Sequence, residues 1–248
     1  MMISVEQTPN KIEKGLSDIV LTHSDQITIP HLPGSQLSVS RKAVDTLVER
    51  DGVNPSTIVP HVAARNINSK TELTKFLNGV YDIGVRNLIV IGGSDRVTSK
   101  SVYHSAFDMI NAAEKRMNRF TIALGYDPLY HSPGFLNHEG ITQLNLSVSI
   151  LAQQELFVRI GVPSMASASG LWRYIKMCGV GPSIRYPLRN IWGLLRYTHP
   201  TKGFKTLQFM EDVTAARSKQ GKPTNFHIYD FGRIDQTLIE IVDQYSRV

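Results

Sequence analysis

The residues best equipped for chemistry are Glu6, His31, His61, the run Gly92-Gly93-Ser94-Asp95, Tyr126, His131, Gln143 and Tyr229. What they share is position: each stands at or just beyond the end of a short β-forming run, where parallel α/β folds place their reactive groups. No zinc-protease HExxH, nucleophile-elbow GxSxG or phosphate-binding P-loop is present, so neither metal-hydrolase nor serine-hydrolase chemistry has its usual signature. Each residue also has a plainer reading. Gly-Gly after a strand can be just a tight turn, His61 after Pro60 a hydrogen-bonded core histidine, Tyr126 a packing residue, and Gln143 a partner for a main-chain group.

Those positions depend on the elements that hold them. Strand-like runs occur at Ile3 to Thr8, Gln26 to His31, Thr57 to Val62, Asn87 to Ile91, Phe120 to Leu124, Gly140 to Leu144, Phe157 to Val162 and Asn225 to Tyr229. Helical patterns alternate with them, the order of βαβ units and a parallel sheet. Ser69 and Glu72 form a capping box ahead of a stripe of Leu73, Phe76, Leu77, Val80 and Ile83. Further stripes are Ala106, Met109, Ile110 and Ala113, and Ile234, Leu238, Ile241, Val242 and Tyr245, with two more helices expected between Ser167 and Lys219. The expected fold is therefore one α/β domain over 1–248, a (βα)8 TIM barrel. One connection is anomalous: fifteen residues separate Tyr126 from Thr142, with two prolines, two glycines and no stripe. The helix between strands 5 and 6 is expected to be shortened or missing.

Composition agrees with a folded protein. The 248 residues are 42% hydrophobic and 19% charged, and one cysteine, Cys178, excludes an internal disulfide framework or a cysteine-based zinc cluster. No apolar run approaches the roughly 18 residues of a membrane span. The N-terminus lacks the apolar core of a secretory signal. An intracellular, soluble protein of the cytoplasm or mitochondrial matrix is expected. Net charge is +6, but eleven Lys or Arg against two acids lie between Arg159 and Lys222, a local +9 that leaves −3 elsewhere. Such asymmetry suits an anionic ligand or an acidic partner as well as a solvated face. The absence of aromatic interleaving or a recognition motif argues against nucleic acid.

Several segments resemble the methylenetetrahydrofolate reductase family. SVEQTPNKIEK from Ser4 resembles its opening strand motif, and PHVAARNINSKTELTKFLNGVYDIGVRNLIVIGGSD, from Pro60 to Asp95, is similar to its central signature. ALGYDPLYHSP, ITQL and FHIYDFGR resemble its later motifs in the same order, and MCGVGPSIR looks like its shorter, single-domain branch. The resemblance implies a flavoprotein that passes hydride from NAD(P)H through FAD to 5,10-methylenetetrahydrofolate. It implies Glu6 as the acid that opens the folate ring and Asp95 as a second catalytic group. It further places His61, Gly92, Gly93, Tyr126 and His131 at the flavin, and Gln143 at the folate or nicotinamide. The family's Arg-Gly-Asp turn is replaced here by Gly92-Gly93-Ser94-Asp95, and its phosphate-binding helix has no counterpart between Tyr126 and Thr142.

Two functional expectations follow. One is a folate-linked reductase. The other is a reductase-like barrel without catalysis that serves as a structural or accessory subunit, with a protein partner or a second copy packed on residues 127–156. Exposed apolar flanks of that sort mark protein contacts.

Overall fold

Short runs rich in Ile and Val become strands because side chains branched at Cβ suit a pleated backbone. The computed structural model of the chain describes residues 1–92, 101–124, 159–164, 206–218, 224–230 and 233–245. Its first elements are β1 (Ile3–Glu6), α1 (Pro9–Lys14), α2 (Asp18–His23), β2 (Gln26–Ile29) and α3 (Leu37–Glu49). Next come β3 (Ile58–Ala63), α4 (Lys70–Ile83), β4 (Asn87–Ile91), α5 (Ala106–Ala112), α6 (Glu114–Met117) and β5 (Thr121–Leu124). After them stand β6 (Arg159–Pro163), α7 (Thr206–Ser218), β7 (Asn225–Tyr229) and α8 (Ile234–Tyr245). The chain divides into two units, one of Ser4–Gly125 with Lys176–Gly179, the other of Met1–Ile3, Tyr126–Ile175 and Val180–Val248.

In the first unit each strand pairs in parallel with the next, and the register fixes two unlike faces. Glu6 lies opposite Thr28, Thr28 opposite Val59, and His61 opposite Ile89. Because side chains alternate, Glu6, Thr28, Val59 and His61 share one face. The other face carries Ile27, Ile29, Ile58, Val62, Leu88 and Val90, all buried in one apolar cluster with the inner faces of the helices. From α3 the cluster takes Leu37, Val44 and Leu47; from α4 it takes Leu73, Phe76, Leu77 and Val80. Each such side chain contributes about 1.5–3 kcal/mol by leaving water, so the helices lock the apolar face and leave the polar one for a site.

Helix ends are set locally. Ser69 Oγ accepts the Glu72 N–H at 3.3 Å, and α4 stops at Gly84, whose φ of +113° suits glycine. The expected capping box is only half made. Glu72 does not turn back to Ser69; its carboxylate accepts the Leu37 N–H at 2.8 Å and so caps α3 instead.

The second unit contains a parallel β6–β7 pair with Gly161 opposite His227. Ile160, Val162, Phe226 and Ile228 are buried on one face. On the other, the Tyr229 ring lies back across Gly161, where an added Cβ would come within 2.7 Å of it. Met2 runs beside β7: its N–H donates to Asn225 Oδ1 at 2.9 Å, and its carbonyl accepts the Phe226 N–H.

The closed eight-stranded TIM barrel is overturned. Seven strands are described, in the order β5-β4-β3-β2-β1-β7-β6. β5 and β6 are therefore ends, and no ring closes between them among the described residues. Alternating β and α signals tell which segments extend and that neighbours run parallel; they do not tell which two edges join. The strand signal at Gly140 to Leu144, the short connection after Tyr126 and the expected contact at 127–156 lie outside the described residues. Within them no helix is long and apolar enough to cross a membrane.

Candidate functional site

Glu6 ends β1 and is buried, 5% exposed; His61 sits near the end of β3 and is 6% exposed. Burial of two titratable side chains on one sheet face is costly unless they interact. They do: His61 Nδ1 stands 3.9 Å from Glu6 Oε2. At that distance the two attract electrostatically without a direct hydrogen bond between them. Gln7, the next residue, is also buried, and its N–H donates to the Thr28 carbonyl at 2.8 Å, which pins the end of β1 against β2.

The ends of β3 and β4 are joined around Arg65. This residue lies in a single-turn 3-10 helix, Ala64–Asn66. Its N–H donates to the Gly92 carbonyl at 3.0 Å, its Nε to the His104 carbonyl at 3.0 Å, and its own carbonyl accepts the Ser101 hydroxyl at 2.7 Å. Val102 N–H adds a bond to the Ile67 carbonyl. One arginine thereby fixes the exit of β3, the exit of β4 and the segment leading into α5.

His31 follows β2 and is buried. Burial holds its imidazole below the ordinary range; the Ser35 carbonyl and the Glu72 carboxylate act in the opposite sense but do not outweigh it. In the second unit burial likewise lowers the Arg159 guanidinium, while His227 and Tyr229 meet edge to face at 4.7 Å.

Of the residues expected to act, Glu6 and His61 are brought together, and Gly92 is placed at the end of β4. Asp95, Gly93, Tyr126, His131 and Gln143 lie outside the described residues. Arg65 and Gln7 are the structural members that sequence reasoning did not assign to the site. An arginine two residues after a strand ending in Pro60-His61-Val62-Ala63 was the available signal for the first; nothing in the sequence marks Gln7 as buried. Toward a flavin the described residues offer little: His61 faces Glu6, and an added Cβ at Gly92 would meet nothing nearer than the Arg65 guanidinium at 3.9 Å. No protein-family model and no curated protein matches this chain.

Proposed function

We propose that the chain is a folate-linked reductase whose Glu6–His61 pair supplies the proton for reduction of 5,10-methylenetetrahydrofolate. The observation that carries this reading is the buried carboxyl at the end of β1, 3.9 Å from a buried imidazole on β3. The reaction needs one proton and one hydride. The Glu6 carboxyl gives its proton to folate N10 as the N10–methylene bond breaks, leaving an iminium at N5. Hydride from reduced nicotinamide then reduces that iminium to the methyl group, and the nicotinamide leaves oxidised. His61 is the group that returns a proton to Glu6 in this reading. FAD, which the sequence resemblance implies as the carrier between nicotinamide and folate, gains no further support from the described residues, and no step is assigned to it.

A Glu6→Gln change keeps the shape and removes the acid. Folate reduction is expected to fall about 10²- to 10⁴-fold, the usual worth of one general acid, while oxidation of the nicotinamide by an artificial acceptor stays near wild type. Equal losses in both would show that Glu6 holds the site together rather than donating a proton.

One observation favours a second reading, the accessory subunit. Along β5, Thr121, Ala123 and Leu124 are exposed, Leu124 by 47%, and Ile122 is only half-buried. Among the described residues β5 ends the strand order, and exposed apolar side chains on such a strand suit a protein contact.

A further inference from the structure

His31 takes no part in the Glu6–His61 pair, yet both its ring nitrogens are committed to main-chain groups. Nδ1 lies 3.1 Å from the Ala63 nitrogen, and Nε2 lies 3.1 Å from the Ser35 carbonyl oxygen. An amide N–H can only donate, so Nδ1 must offer a lone pair. A carbonyl can only accept, so Nε2 must carry the hydrogen. The surroundings therefore specify one neutral tautomer. A second proton, placed on Nδ1, would point at the Ala63 N–H and break that bond.

We propose that His31 is a positioning residue: a neutral latch that ties the β2–α3 connection to the end of β3 and lets go when the ring is protonated. Ala63 closes β3 two residues after His61, and Ser35 lies two residues before the start of α3. One ring thus ties the β2–α3 connection to the last residue of β3, on the strand that carries His61. Other hydrogen bonds shape the connection. Within it, the Ser35 N–H and hydroxyl both reach the Leu32 carbonyl, at 3.1 and 2.7 Å, and Gly34 takes φ +76° to make the turn. At its far end the Leu37 N–H is held by Glu72.

The groups that face the ring set the sign of the switch. From α4 comes Glu72, whose negative charge favours the imidazolium; the connection presents the Ser35 carbonyl and β3 presents the Ala63 N–H, neither of which titrates. Burial disfavours the imidazolium and prevails. The latch is therefore closed at neutral pH and opens on acidification. It rests on these hydrogen bonds and stands whether or not the folate reading does.

The test is a pH titration of the full chain by NMR. Two-bond nitrogen–proton couplings report the tautomer, and hydrogen exchange reports the protection of the Ala63 amide. The expected result is an Nε2–H ring near neutral pH and a loss of Ala63 protection in step with ring protonation, while Val90 in β4 keeps its protection. In His31→Asn, whose side-chain oxygen can accept the same N–H and does not titrate in this range, Ala63 protection should not follow pH. A hydrogen on Nδ1 near neutral pH, or Ala63 protection that is unchanged while the ring titrates, overturns the proposal. Should His31→Asn fail to fold, the wild-type titration alone decides between these outcomes.

Discussion

At the scale of single residues the first unit uses its buried histidines in opposite ways. His61 stands 3.9 Å from a carboxyl that favours its charged form; His31 is held between an N–H and a carbonyl that fit the neutral ring. That difference has a measurable consequence for stability. The folded state holds the His31 pKa below its ordinary value of 6.5, so in the window below pH 6.5 the unfolded chain binds more protons than the folded one. Stability from this site is complete above that pH and declines as pH falls toward the depressed folded value. Denaturant unfolding across this window should show that decline in the wild type and a flatter curve in His31→Asn. Parallel curves for the two would place the pH dependence elsewhere. None of this was legible in the sequence, because the partner that decides the tautomer, Ala63, is 32 residues away.

At the scale of elements, two helix ends matter most. Glu72 belongs to α4 but caps α3, so Glu72→Ala removes the acceptor for the Leu37 N–H. The expected cost is about 1 kcal/mol, the usual worth of a side-chain cap, read as a lower denaturation midpoint; a change within measurement error would mean that water replaces the carboxylate at no cost. Gly84→Ala forces a side chain into the left-handed region and sets its Cβ 3.3 Å from Pro55 Cβ. A loss of about 1–2 kcal/mol is expected, again from chemical unfolding, and an unchanged midpoint would contradict the strain. Much of this level was readable. The stripe from Leu73 to Val80, the Ser69 cap and the paired Met109 and Ala113 all fall where their spacing put them, because a helix buries every third or fourth residue. α3 was not anticipated although Leu37, Ser40, Val44 and Leu47 have that same spacing. Its stripe is interrupted by polar and small residues, and Ser40 is itself buried. The partner chosen by Glu72 could not be foreseen either, since a capping box and a long-range cap have the same sequence.

At the scale of the whole molecule, the parallel order of the strands was legible and the closure was not. Seven of the strand signals correspond to described strands within a residue or two, yet β5 and β6 stand at the ends of the order. Ring closure depends on pairing between segments distant in sequence, and local β propensity carries no information on it. The polar face was legible only in part: Glu6 and His61 are named by their strand ends, whereas their approach follows from the registers of β1, β2 and β3. The exposed apolar side chains of β5 bear on assembly. If the accessory reading holds, the isolated chain should sediment above monomer mass, and Leu124→Lys should move it toward monomer. A wild-type chain that stays monomeric at all concentrations and retains stoichiometric FAD would count against that reading.

The reductase reading meets its most direct trial in one reaction. The purified chain is incubated with 5,10-methylenetetrahydrofolate and reduced nicotinamide, NADH or NADPH, with FAD supplied, and the folate product is followed by mass. 5-Methyltetrahydrofolate is expected to form in step with the nicotinamide consumed, one for one. A folded protein that leaves the methylene-folate unchanged with either nicotinamide would contradict that reading.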